Sequence, residues 1–98
     1  MKWQLAQLVD DPEFATFPGK QIWVEVGKPE SVVRRCVVGG GEVNTPAYRI
    51  NSETESYMTA SVLELLPIFA DEVAKIPNFN VWAKMTNKEI LALGKVVQ

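Results

Sequence analysis

Between residues 20 and 59 apolar side chains recur at every second position, in short runs cut by Gly, Pro and Asn. Period two belongs to a pleated strand, whose successive side chains point to opposite faces. Turns this close leave no room for a crossover helix, so the strands must pair antiparallel. Gln21-Ile22-Trp23-Val24-Glu25-Val26 sets Ile22, Val24 and Val26 on one face and Trp23 and Glu25 on the other. Gly27-Lys28-Pro29-Glu30 is a turn, and Ser31 to Val38 is a second, β-branched strand. Gly39-Gly40-Gly41 through Thr45-Pro46 makes a loose connection to a short third strand, Ala47-Tyr48-Arg49-Ile50. Asn51 to Thr54 turns the chain into a fourth strand, Glu55 to Thr59. Such a meander curls into a strongly bent antiparallel sheet or a small barrel.

Outside this block the spacing changes. Trp3, Leu5, Leu8 and Val9 partly share a helical face, and Asp11-Pro12-Glu13 supplies an N-cap, a proline at the first position and an acid in the first turn. This predicts a helical lead-in over residues 1–18, closed by Phe17-Pro18-Gly19. After Pro67 the spacing of Ile68, Phe69, Val73 and Ile76 predicts a helix near 68–76, ended by Pro77-Asn78. Phe79, Val81 and Ala83 then alternate with polar residues and Trp82, which predicts an extended segment. Thr86-Asn87-Lys88-Glu89 is a capping box that opens a helix over 87–94. A second box, Ser52 to Glu55, keeps open the alternative of a helix over 53–66 in place of the fourth strand and its turn. The fold class expected is α+β, with N- and C-terminal helices around the bent sheet. At 98 residues the chain supports a single domain: lead-in 1–18, barrel 19–67 and helical extension 68–98.

The succession IWVEVGK, VVRRCVVGGG, AYRIN and ESYMTASVLELLP resembles an SH3-like small barrel of the Tudor or KOW kind over residues 19–67. The shared pattern is an alternating first strand, a second carrying basic residues and a short aromatic strand. A last strand follows and leads through a single turn, Ala60-Ser61-Val62-Leu63, into Leu65-Leu66-Pro67. The resemblance implies a fold. It lacks the aromatic cage of a methyl-lysine reader, so it implies no such ligand.

Composition narrows the chemistry. With no histidine and Cys36 as the one cysteine, there is no Ser-His-Asp triad, Cys-His pair, zinc site or internal disulfide. No metal or other cofactor is expected. Asp10/Asp11, Glu53/Glu55 and Asp71/Glu72 sit in solvated turns or helix starts, where carboxyl groups keep ordinary affinities. Cys36, flanked by Arg35 and Val37 on a strand, reads as a buried, inert thiol rather than an activated one. The expected protein is not an enzyme. No run approaches the ~20 apolar residues of a membrane helix, and a lone thiol suits a reducing compartment, so a cytoplasmic protein with no membrane partner is expected.

What remains is binding. Charge is uneven: residues 42–72 set Arg49 against Glu42, Glu53, Glu55, Glu64, Asp71 and Glu72, whereas residues 73–98 set Lys75, Lys84, Lys88 and Lys95 against Glu89. That dipolar layout suits an oriented protein contact or a homo-oligomer and makes a poor nucleic-acid footprint. Arg34 and Arg35 point to opposite faces of their strand. One is free for a carboxylate or phosphate, unless both pair across strands with Glu25 or Glu55. Trp23 and Trp82 are either core anchors or contact residues, and Tyr48 and Tyr57 complete the candidate partner surface. The glycine run reads as a hairpin loop rather than a phosphate cradle. A non-enzymatic protein-binding module is the leading expectation, by analogy a phage or mobile-element accessory protein or an inhibitor of a host system. The alternatives are an oligomeric small-ligand or nucleotide binder using Arg34, Arg35 and the glycine loop, and a nucleic-acid accessory module using Lys84, Lys88 and Lys95.

Overall fold

The computed structural model describes residues 1–9, 17–37, 39–54 and 56–97, with residues 31–37, 42 and 43 described by their backbone. Its elements are β1 (Trp3–Leu8), β2 (Gln21–Glu25), β3 (Glu30–Val37), β4 (Gly41–Arg49), β5 (Tyr57–Thr59), a 3-10 turn (Ala60–Val62), β6 (Leu63–Val73), α1 (Phe79–Lys84), α2 (Asn87–Ala92) and β7 (Gly94–Val96). One antiparallel sheet has the order β2-β1-β6-β7 and the other β3-β4-β5. Together they form a strongly curled half-barrel with two short helices, a small α+β fold. The sheets are stitched where β4 ends: Val24 bridges Ile50, and the Asn51 N–H donates to the Trp23 carbonyl at 3.1 Å. Asn51 also accepts from the Ile76 N–H at 2.9 Å and donates through its side-chain amide to the Ala74 carbonyl at 3.0 Å. The main-chain groups and the side-chain NH2 of this fully buried residue hold three segments together, while its Oδ1 has no partner among the described residues.

The core collects Trp3, Leu5, Ile22, Trp23, Val24, Ala70, Ile76, Trp82 and Ile90. The period-two reading of β2 placed Trp23 opposite Ile22 and Val24, and all three are buried. Both faces of β2 are therefore covered. On the Trp23 side the cover is α2 and β7, and the indole N–H donates to the Ile90 carbonyl at 2.8 Å. A buried indole needs such a partner. The meander expected over 20–59 is divided between the sheets, β2 pairing with β1 and β3 with β4. In the second sheet the Val37↔Gly41 register leaves three residues for the β3–β4 turn. Gly39 (φ 108°) and Gly40 (φ 85°) occupy it in conformations that side-chain-bearing residues rarely adopt.

Several expectations are corrected. The helical lead-in is a strand: Trp3 to Leu8 is β1, paired with both β2 and β6. The helical turn expected after Asp11 lies outside the described residues. The helix expected near 68–76 is the second half of β6. The register on β1 runs Gln4↔Phe69 and then Ala6↔Leu65, so β6 carries extra residues that bulge. The Gln4 side chain donates to the bulged Leu66 carbonyl at 3.0 Å. A second irregularity falls between Ala70 and Val73 opposite β7, within the Ile68, Phe69, Val73 and Ile76 spacing that suggested a helix. The extended segment expected over 79–83 is helix α1. The loose connection from Gly41 to Thr45 is the first half of β4. Among the described residues the helices are α1 and α2, and both stand between β6 and β7.

Other expectations hold. Residues 57–66 form a strand, the single turn Ala60–Val62 and the start of β6, not a continuous helix. The capping box at Thr86 is complete: the Glu89 N–H donates to the Thr86 hydroxyl at 3.2 Å and the Thr86 N–H to the Glu89 carboxylate at 3.0 Å. These bonds from the Thr86 backbone and hydroxyl, helped by the charge of Lys20, hold the Glu89 carboxyl below its ordinary range, although partial desolvation works against them. A carboxyl depressed in the folded state adds stability above its unfolded value, about pH 4.3, and loses it as pH falls through the folded value. Glu89→Gln is therefore expected to melt earlier than the parent at pH 7. Circular-dichroism melts should show that gap closing as pH drops below about 4.

Candidate functional site

Helix α1 is short, and side chains from elsewhere hold it in place. Asn78 caps it, accepting the Val81 N–H at 3.0 Å. At the other end the Lys20 ammonium donates to the Trp82 and Ala83 carbonyls at 2.8 and 2.7 Å, satisfying groups that a helix C-terminus leaves open. Burial lowers the Lys20 pKa, against the opposing charge of Glu89. The Trp82 indole N–H donates to the Gln21 carbonyl at 2.9 Å, which turns that ring inward.

Phe79, one turn earlier, lies on the same helix side and does the opposite. It remains 53% exposed while its ring stands 4.9 Å from that of Trp82. Phe17 closes the cluster edge-on, 5.6 Å from Phe79 and 5.5 Å from Trp82. Between this cluster and β5 runs a groove made of two joined hollows of about 410 and 200 Å³, which share Tyr57, Met58, Phe79 and Trp82. Its rim carries a chain of hydroxyls, Ser52 to Thr54 at 3.1 Å and Thr54 to Ser56 at 2.9 Å. Among the described lining residues none is Asp, Glu, Lys or Arg, although 22% of the chain is charged. An uncharged, aromatic, open surface of this kind is what a contact surface needs at its centre.

A wider hollow of about 480 Å³ lies over Trp3 on the opposite sheet, among Lys2, Lys75, Lys95, Asp71 and Glu72. The Lys75 ammonium stands 4.6 Å from the Trp3 ring. Lys95 pairs with Glu72 at 3.2 Å and the N-terminal ammonium with Asp71 at 3.3 Å, all on exposed side chains. Charges of mixed sign that pair in water offer little to a ligand.

The candidate residues read from the sequence separate. Tyr57 and Trp82 line the groove, Trp82 as its buried floor. The Tyr57 hydroxyl accepts from Arg49 at 3.1 Å. Trp23 is 0% exposed under α2 and makes no surface, so its place as a contact residue is corrected to a core position. Tyr48 is half-buried on β4, beside Met58 of β5. Arg34 and Arg35 lie on β3, with β4 between them and β5, and their side chains are outside the description, as is Glu55. Glu25, expected opposite those arginines, stands 3.8 Å from Arg49. Phe79, Phe17 and Met58 were not singled out by sequence; the one local signal was Asn78 standing as an N-cap ahead of Phe79. Among the described residues no cluster of three potential metal ligands occurs, and no helix is long and apolar enough to cross a membrane. Comparison with protein-family models, curated proteins and solved structures finds no match to the chain.

Proposed function

We propose that the chain is a non-enzymatic protein-binding module and that the groove between β5 and α1 is its contact surface. The observation that carries this is Phe79, a half-exposed aromatic held by a pinned helix over buried Trp82, beside a groove whose described lining carries no ionised side chain. An exposed aromatic with a rigid base is the anchor that protein contacts favour. The described lining residues include no carboxylate, lysine or arginine for acid-base work, in keeping with a binding role. We read the half-barrel as SH3-like: the short β5, the 3-10 turn at Ala60–Val62 and the return strand β6 support it, with β1 and β7 as additions. A cytoplasmic setting, and a role as a phage or mobile-element accessory protein or an inhibitor of a host system, belong to the same proposal by analogy. The nucleotide-binding alternative is weaker, because Gly39 and Gly40 are committed to the tight β3–β4 turn.

Phe79→Asp tests the proposal. Phe79 opens α1, where a carboxylate is favourable, so the loss of ring packing is partly offset and the melting temperature should fall little. A protein that co-purifies with the tagged parent should be lost from the variant, a weakening of about 2 kcal/mol or more. Retention of that protein at full yield would move the contact surface elsewhere.

A further inference from the structure

We propose that the groove takes an extended, uncharged peptide segment of the partner, which adds as a strand to the open edge of β5; this rests on the groove being the contact surface. The hydrogen-bond register carries the argument. β5 pairs with β4 as Ala47↔Thr59, Tyr48↔Met58 and Arg49↔Tyr57, and the next pair along is closed by the Ile50 N–H donating to the Ser56 carbonyl at 3.0 Å. Hydrogen-bonded pairs alternate along an antiparallel ladder. Ser56 and Met58 therefore face β4, and the main-chain groups of Tyr57 and Thr59 face away from it. Among the described residues no strand pairs with that far side of β5, which is an edge of its sheet. Tyr57 and Thr59 both line the hollows in front of α1. The groove is thus bounded on one side by the edge of β5 and on the other by Phe79 and Trp82. On that edge the Thr59 carbonyl caps the 3-10 turn, while the Tyr57 groups and the Thr59 N–H meet no described strand.

That combination selects the occupant. Strand-edge groups are matched in spacing by another extended backbone, and the aromatic wall takes the alternate side chains on its inner face. The described lining is apolar, aromatic and hydroxyl-bearing, with no cation or carboxylate among its described residues, which suits inserted residues that are neutral and apolar at every second position. With three residues in β5, the inserted stretch is short.

The probe is the peptide acetyl-(Thr-Val)3-amide, titrated into 15N-labelled protein and followed by amide shifts. Saturable shifts centred on residues 56–59 and 79–82 are expected. Of the two forms of the peptide methylated at alternate nitrogens, one should fail to bind and the other should bind like the parent, because alternate N–H groups face opposite sides of a strand. Thr59→Pro should weaken binding about tenfold or more by removing one outward donor. Its backbone suits the change, at φ −58° and ψ 130°, and its side chain makes no cap bond. The methylated peptides are read on the unaltered protein, so the inference remains testable if that variant folds poorly. Equal binding of both methylated forms, undiminished binding to Thr59→Pro, or shifts absent or centred on another strand would overturn strand addition. So would self-association in light scattering that the peptide cannot displace, which would make a second copy the occupant. Loss of the co-purifying protein in Phe79→Asp but not in Thr59→Pro would leave the groove standing and remove strand addition. Its retention in both would remove the groove as well.

Discussion

Trp23→Ala is expected to cost roughly 3–5 kcal/mol of folding stability, the usual range for deleting a buried aromatic. The residue is completely buried, and its indole N–H donates to the Ile90 carbonyl at 2.8 Å. Truncation opens a cavity between β2 and α2 and removes one donor to that carbonyl, which keeps the Leu93 N–H at 3.1 Å, so the cavity supplies most of the cost. A domain of this size has about 5–15 kcal/mol in total, and the variant should sit near the edge of unfolding at 37 °C. A thermal melt reads this directly, with a fall of well over ~10 °C expected. A variant that melts with the parent would mean that Trp23 is not under α2.

The second large effect is expected at Gly94, on the other side of the same ring. A Cβ built there would come within 2.6 and 2.8 Å of two atoms of the Trp23 indole and 3.0 Å of Val73. The glycine is needed for space: the ring crosses β7 where any side chain would stand. Gly94→Ala should therefore cost about 1–3 kcal/mol through overpacking, even though alanine ordinarily suits a strand better than glycine. The two sites must then be coupled. In a Trp23→Phe background, whose smaller ring withdraws from β7, the penalty of the alanine should shrink, and a double-mutant cycle measures the difference. Equal penalties in both backgrounds would contradict the packing described.

These two positions also show what was legible in the sequence. Strand β2 was readable because its side chains alternate without interruption and its ends are marked by turns. The β5 strand, the 3-10 turn after it and the Thr86 capping box were readable for the same reason: their determinants lie within a few residues of each other. Strand β1 was misread because Leu5 and Ala6, neighbours in sequence, are both buried where the pairing with β6 slips, which breaks the alternation. The bulges in β6 imitate helical spacing. Helix α1 was misread because Phe79 and Val81 stay exposed and only Trp82 is buried, so its apolar residues do not mark the face that packs.

The groove was half visible. Tyr57 and Trp82 were named, but their meeting depends on a contact between distant parts of the chain that no local pattern encodes. Phe79 gains its role from Phe17 and Trp82, and Lys20 gains its role by reaching the end of α1 across 62 and 63 residues of sequence. Trp23 and Trp82 are the same residue type on apolar segments, and sequence alone could not assign one to the interior of the molecule and the other to the floor of a groove.

Hydrogen exchange at the indole N–H groups tests this division of the aromatic residues most directly. The account predicts that the Trp23 and Trp82 indole protons, bonded to the Ile90 and Gln21 carbonyls, exchange slowly, with the Trp23 proton released only by opening of the core. Adding the bound peptide should slow the Trp82 proton further and leave the Trp23 proton unchanged. A Trp23 indole proton that exchanges within the dead time of the experiment, or that responds to the peptide, would contradict the account.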